Sequence, residues 1–303
     1  MSNENFSQVL QSVSNAIAEV AEKVAPSVVR VGSGNAGGTG IIWSPDGQIM
    51  TCNHVLDRYG VIDVGLPEGH FDAKVIGRDR YSDIALLKIE ANGLKPIELD
   101  GLQEPKTGQF VLAFANPFGQ RPSVTSGIVT NPRTSIRGWW GTALENVIVT
   151  DARLNPGYSG GPLVDAYGKM IGLNTAYVSS RGIAIPTGTS KNTADRLARE
   201  GKIKRAYLGI TSNPLTFPKE ISSQPQINQE QGLIILKVEP ESPAKRAGLA
   251  IGDIIIRFNQ ESVANHYDLH RLLTEENIEK STTLSVLRGE KLTELTIKPV
   301  EAQ

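Results

Sequence analysis

Three short segments of the chain each join a residue capable of polar chemistry to small neighbours that could hold it in place. They are Thr51-Cys52-Asn53-His54-Val55-Leu56, Ser82-Asp83-Ile84-Ala85-Leu86-Leu87 and Asn155-Pro156-Gly157-Tyr158-Ser159-Gly160-Gly161-Pro162. A serine hydroxyl is a weak nucleophile near neutral pH, so Ser159 needs a base within hydrogen-bond reach. His54 is the candidate, because an imidazole that titrates near neutrality can take the proton and later return it to a leaving group. Asp83 is the candidate partner of the other ring nitrogen, where a carboxylate fixes the tautomer and stabilises the imidazolium. The glycines around Ser159 free the backbone to turn amides inward, which makes the N–H groups of Gly157 and Ser159 candidates for an oxyanion hole. The chemistry implied is nucleophilic acyl transfer.

Other motifs fail on context. Gly32-Ser33-Gly34-Asn35-Ala36-Gly37 matches the dinucleotide-binding G-x-G-x-x-G, but the chain runs on into strand-like Gly40-Ile41-Ile42-Trp43 where a helix should begin. Gly157-Tyr158-Ser159-Gly160-Gly161 fits the nucleophile elbow G-x-S-x-G, yet Gly160-Gly161-Pro162 would abort the helix that motif requires. His266 and His270 lie four apart on an expected helix, with no third ligand at a metal-binding spacing, so no metal site is expected. Cys52, two residues before His54, reads as packing beside the site.

The elements that must position these residues are short β-branched runs broken by Gly, Pro and Asn. From residue 27 to about 186 they are SVVRV (27–31), GIIW (40–43), DIALLKI (83–89), QFVLAFA (109–115), ENVIVT (145–150) and KMIGLNTA (169–176). Regular short strands with turns between them mean a barrel or sandwich. Residues 189–200 read as a helix stopped by Gly201 and closing a first domain. Past Lys202, Lys204 and Arg205 a second unit shows strand-like YLGI (207–210), LIILKV (233–238), DIIIRF (253–258) and TTLSVL (282–287). A helix bearing Leu269, Leu272 and Leu273 precedes the last of them. Residues 211–231, with Pro214, Pro218 and Pro225, read as a long loop, and 242–249 as a short capped helix closed by Gly248.

The chain has 303 residues, enough for two domains. Its 31 basic and 32 acidic residues leave a net charge of −1, which argues against a nucleic-acid partner. No apolar run is long enough to span a bilayer, and the single cysteine excludes an internal disulfide. Glu4, Glu19 and Glu22 precede the first cation, Lys23, so the start lacks an export pattern and a cytoplasmic location is expected. Phe6, Val9, Leu10, Val13, Ile17, Val20 and Val24 instead form one stripe of an amphipathic helix over 1–25. It is expected to cover its own domain, with Val9, Val13, Ile17 and Val20 as candidates for part of a subunit contact.

His, Asp and Ser occur in the chain order of the chymotrypsin-type barrel proteases, 29 and 76 residues apart, which would place His54 and Asp83 in one barrel and Ser159 in the next. At these residues the chain resembles the HtrA/Deg serine proteases. The matching blocks are SVVRV, GGTGIIW, TCNHVL, SDIALLKI, ANPFGQ, SVTSGIV, TDARLNPGYSGGPLV, GKMIGLNTA and GIAIP, then YLGI, VEPESPAKRAGLAIGDIIIRFN and DLHRLL. The resemblance implies a mainly β chain, with a double six-stranded barrel trypsin-like domain over 26–203 and a PDZ domain over 204–303. It also implies endopeptidase action on unfolded or damaged chains, no cofactor, and homo-oligomers built from trimers. A catalytically silent chaperone or scaffold on the same fold is the rival reading, disfavoured by the intact His54, Asp83 and Ser159.

Three departures stand out. Tyr158 replaces the small polar residue usual beside the serine and would narrow the cleft or alter the oxyanion loop. The loop after Ala176 is short, and Pro45 to Gly47 leave only a tight turn before the histidine strand. In this fold the primary pocket is walled by residues before the nucleophile, here Arg153 and Leu154, and by Asn174, Thr175 and Ala176. No carboxylate stands there to pair with a basic side chain, so Val, Ile or Leu is expected ahead of the cleaved bond. Tyr207, Leu208, Gly209 and Ile210 look like the loop with which PDZ domains hold a C-terminal carboxylate, with Leu269 a candidate for the side-chain pocket.

Overall fold

Runs of Val, Ile and Leu interrupted by Gly and Pro give short strands whose buried faces must find one another, and here they do so in separate sheets. The structure is a computed structural model that describes residues 3–33, 36–56, 60–99, 104–137, 143–178, 180–289 and 291–302. The chain divides into one unit through Ile203 and another from Lys204 onward.

The first unit opens with helix α1 (Asn3–Val24) and strands β1 (Val28–Ser33), β2 (Ala36–Ile42), β3 (Gln48–Cys52), β4 (Ile62–Leu66), β5 (Gly69–Asp72), β6 (Lys74–Asp79) and β7 (Ile84–Lys88). These strands form one sheet in the order β5-β4-β1-β2-β3-β7-β6. Its two edge strands are consecutive in the chain and separated by Ala73 alone, whose N–H bonds the Ile62 carbonyl at 2.9 Å. The sheet therefore curls until its edges are two halves of one bent strand. The expected six strands are seven here, because the bend at Ala73 splits one of them. Ile41, Ile49, Met50, Leu86 and Leu87 are fully buried inside.

A second set follows: β8 (Phe110–Ala115), β9 (Ser123–Arg137), β10 (Ala143–Thr150), β11 (Pro162–Val164), β12 (Met170–Val178) and β13 (Arg181–Pro186). It closes into a six-stranded barrel in the order β10-β13-β12-β11-β8-β9. Helix α2 (Thr187–Glu200) starts two residues earlier than its sequence pattern suggests and ends at Gly201, whose N–H bonds the Leu197 carbonyl at 2.9 Å. Only part of the α1 stripe is covered. Ile17 and Val20 pack on the first core, whereas Val9, Leu10 and Val13 are each more than half exposed.

The second unit holds β14 (Ala206–Tyr207), β15 (Ile210–Thr216), α3 (Lys219–Ser222), β16 (Gln231–Val238), α4 (Pro243–Arg246), β17 (Ile254–Phe258), β18 (Glu261–Ser262), α5 (His266–Leu272), β19 (Thr282–Arg288), β20 (Lys291–Ile297) and β21 (Val300–Glu301). Its main sheet runs β15-β16-β17-β19-β20. The expected loop over 211–231 is instead a strand and a short helix. Pro214 is accommodated because β15 is an edge strand, where a missing N–H leaves only one ladder to break. YLGI is likewise not one strand, since Leu208 and Gly209 separate β14 from β15.

Asp253, at the mouth of β17, is buried and accepts bonds from the Ala250 N–H and from Arg288 Nε and Nη2, each at 2.8 Å. Burial by itself would raise this carboxyl, but the Arg288 guanidinium and the Ala250 amide more than offset it and hold Asp253 below the usual carboxylate range. A depressed native pKa gives stability that is present above the unfolded value, near pH 4, and lost as pH falls through the native one. Asp253→Asn should therefore destabilise this unit by about 1–3 kcal/mol at pH 7. Hydrogen exchange of the β17 and β19 amides should show that difference shrinking below about pH 4.

Candidate active site

Antiparallel pairing of β3 with β7 sets Cys52 opposite Ile84, so the residues just beyond each strand end meet. His54 sits there in a 3-10 turn over Asn53–Val55, and Asp83 immediately precedes β7. Asp83 adopts φ 57°, a left-handed conformation that costs a non-glycine residue energy. Its bonds hold it there. The Asp83 carbonyl accepts the Asn53 N–H at 3.0 Å, Oδ1 accepts the His54 N–H at 2.9 Å, and Oδ2 lies 2.7 Å from His54 Nδ1. The Asp83 side chain is 5% exposed and that of His54 20% exposed, so the carboxylate is enclosed while the imidazole retains access to solvent.

Ser159 stands on the turn that leads into β11. The Tyr158 N–H bonds the Asn155 carbonyl at 3.1 Å and the Gly161 N–H bonds the Tyr158 carbonyl at 3.0 Å. Gly160 has φ +86°, and a Cβ there would lie 2.0 Å from the Thr39 carbonyl oxygen, so no side chain fits. The Ser159 hydroxyl donates to the Thr175 carbonyl at 2.8 Å. Thr175 in turn donates its own hydroxyl to Asp83 Oδ2 at 2.5 Å. Thr175 thus bridges Asp83 and Ser159, and draws the three sequence-predicted residues into one network. From the sequence, Thr175 is expected only in a pocket wall. Among the described residues, the Gly157 and Ser159 N–H groups donate to no protein acceptor.

Tyr158 does not narrow the cleft. Its side chain is buried among Val111, Ile148, Leu154 and Leu163, and that burial pushes the phenol up, partly offset by a bond with Thr125. The pocket residues need a similar correction. Asn174 is fully buried, its amide donating to the Pro162 carbonyl at 3.1 Å and the Phe114 carbonyl at 3.4 Å, so its side chain does not face substrate. Leu154 is buried beside Gly182, Ala176 is half-buried and Arg153 is exposed.

Cys52, His54 and Asp83 bring three ligand-capable atoms within 4.8 Å of one another, the one such cluster of three among the described residues. These groups already have partners, His54 and Asp83 each other. The Cys52 thiol donates to the Asn174 carbonyl at 3.3 Å, and burial, reinforced by the Asp83 charge, pushes its pKa well up, so it stays protonated. That is poor metal-ligand and nucleophile chemistry.

In the second unit, the carbonyls of Leu208 and Gly209 accept the N–H groups of Ala244 and Glu239, both at 2.9 Å. The Leu208 and Gly209 N–H groups donate to no protein acceptor among the described residues. Tyr207 is partly exposed and Ile210 begins the edge strand β15. Leu269 belongs to the core with Leu208 and Leu273, since its face of α5 is the one that packs on the sheet. His266 Nε2 of α5 meets the Ser212 carbonyl of β15 at 2.9 Å, and His266 and His270 have ring centroids 6.4 Å apart.

Residues 38–173 match the family model of trypsin-like peptidase domains and residues 207–298 that of PDZ domains. A probable periplasmic serine endoprotease, DegP-like, of Rickettsia conorii is 36% identical over 270 residues, covering 86% of this chain and 53% of the relative. Protease Do-like 1, chloroplastic, of Arabidopsis thaliana is 36% identical over 274 residues, covering 84% of this chain and 61% of the relative. The chain spans about half to two thirds of the length of the curated relatives it matches. Among solved structures, the HtrA-type protease AlgW with a tripeptide superposes with a TM-score of 0.77 at 30% identity, covering 94% of this chain and 97% of that one. A serine endoprotease from Yersinia pestis gives a TM-score of 0.73 at 30% identity over 94% and 98%.

Proposed function

The chain belongs to the HtrA/DegP family of serine proteases, a trypsin-like peptidase domain ahead of a PDZ domain, and from that premise we propose that it is an endopeptidase acting on unfolded polypeptides. The observation that carries the reading is the continuous network from His54 through Asp83 and Thr175 to Ser159. In this reading Ser159 attacks the scissile carbonyl and His54 takes its proton, which requires the hydroxyl to turn from the Thr175 carbonyl by rotation about χ1. Asp83 keeps the imidazole in the tautomer with hydrogen on Nδ1. The Gly157 and Ser159 N–H groups receive the oxyanion, and the acyl-enzyme is then hydrolysed.

Substrate choice follows from the walls near Ser159. Arg153, Leu154 and the strand over 174–176 bring no carboxylate, and the half-buried Ala176 offers apolar surface, so a basic side chain would enter unpaired. Sequencing the peptides from a digest of a denatured protein should show cleavage mainly after Val, Ile or Leu. Cleavage mainly after Lys or Arg would overturn this assignment.

We assign peptide capture to the second unit. Two amides without protein acceptors at Leu208 and Gly209 beside the edge strand β15 suit a C-terminal carboxylate on a chain that adds as a further strand. The half-exposed Val9, Leu10 and Val13 of α1 support assembly into homo-oligomers, with a trimer as the family precedent.

A further inference from the structure

Thr39, in β2, grips the nucleophile turn at both ends. Its N–H donates to the Ser159 carbonyl at 2.9 Å, and its hydroxyl donates to the Gly157 carbonyl at 2.7 Å. The direction of that hydroxyl is set, because Oγ1 itself accepts the Asn116 N–H at 2.8 Å, which leaves its proton for Gly157. The Thr39 carbonyl is held in turn by the Thr51 hydroxyl at 2.7 Å, on the strand that leads to His54. Thr39 is fully buried.

The turn needs such a grip. Gly157 lies at φ +94°, and a glycine with freedom on both sides of its Cα can rotate its flanking peptides at little cost. The Gly157 carbonyl belongs to the peptide shared with Tyr158 and the Gly157 N–H to the peptide shared with Pro156, so a swing of the first would shift the Gly157 Cα between them and spoil the aim of the donor at the developing oxyanion. We propose that Thr39 is a positioning residue for catalysis, its hydroxyl anchoring the Gly157 carbonyl and with it the Gly157 Cα, so that the N–H on the other side of that Cα stays aimed into the oxyanion hole. The inference rests on the proteolytic reading above and deepens it. Thr39 touches no reacting atom and acts through Gly157.

The test compares Thr39→Val, which keeps the shape and removes the donor, with Thr39→Ser, which keeps the donor and removes a methyl. Three quantities are measured on a chromogenic peptide with Leu before the cleaved bond. They are kcat, KM, and the affinity for a peptidyl trifluoromethyl ketone, whose hemiketal oxygen would occupy the hole. Thr39→Val should lower kcat by about ten- to a hundredfold, less than the loss of a whole oxyanion donor, and weaken the ketone by the same factor. KM should stay within about twofold, since ground-state contacts are untouched. Thr39→Ser should recover most of the loss. Should the valine variant not unfold cooperatively, Thr39→Ala is read on the same three quantities. A folded variant lacking the hydroxyl but with parental kcat and ketone affinity overturns the proposal, as does a serine variant no better than valine. A parent chain with no Ser159-dependent hydrolysis overturns the proteolytic reading instead.

Discussion

Replacing Ser159 with alanine should lower kcat on a denatured polypeptide by about a millionfold, the scale on which a triad fails when its nucleophile is removed. The fold should survive the change. Ser159 lends only its hydroxyl to the Thr175 carbonyl, while its turn is held by backbone bonds to Thr39 and by the Gly160 N–H on the Asn174 carbonyl at 2.8 Å. A fluorophosphonate probe reads the same event directly, since it forms a stable bond only with an activated serine. The parent should be labelled at Ser159 and the variant not at all. A parent that stays unlabelled, even with denatured substrate or a C-terminal peptide present, would sink the proteolytic reading and favour a scaffold.

The second large effect belongs to Asp83. Asp83→Asn should reduce kcat about ten-thousandfold with KM nearly unchanged, because an amide in this place no longer enforces hydrogen on His54 Nδ1 and no longer stabilises the imidazolium. Local structure should hold, since asparagine tolerates the left-handed φ of 57° better than most residues. Such a variant separates chemistry from architecture. Steady-state kinetics on a peptide substrate, beside circular dichroism of the same sample, makes the measurement. A loss below about tenfold would mean that His54 is oriented by something other than Asp83.

His54, Asp83 and Ser159 were legible because each sits in a short segment with its own signature. A β-branched strand runs into a histidine turn, an aspartate opens an apolar strand, and a serine is fenced by glycines. Their helpers were not legible. Thr175 reaches Asp83 across 92 residues of sequence, and Thr39 reaches Gly157 across 118. Neither threonine carries a local pattern that separates it from an ordinary strand residue, so the role of each emerges only when two sheets bring the segments together. Tyr158 shows the converse. Its position beside the nucleophile suggested an obstacle in the cleft, yet the turn sends its ring into the barrel core.

The same distinction holds for the fold. Apolar strands such as β7 and β8, buried on both faces, read as continuous hydrophobic runs. Strands β4 to β6 and β20 mix polar and apolar residues because one face is partly open to water, and they escape a search for apolar runs. The segment over 211–231 was misread as loop because proline usually ends a strand, whereas an edge position tolerates it.

The residue order alone thus pointed to two β-rich units without disulfides and to three candidate groups for acyl transfer, since residue type and local spacing encode those. The bridge at Thr175, the hold of Thr39 on the turn at Ser159, and the burial of Tyr158, Asn174, Leu269 and the Cys52 thiol came only with folding. Each depends on a neighbour distant in sequence. Hydrogen bonds and burial are properties of distance in space, and strand pairing sets that distance.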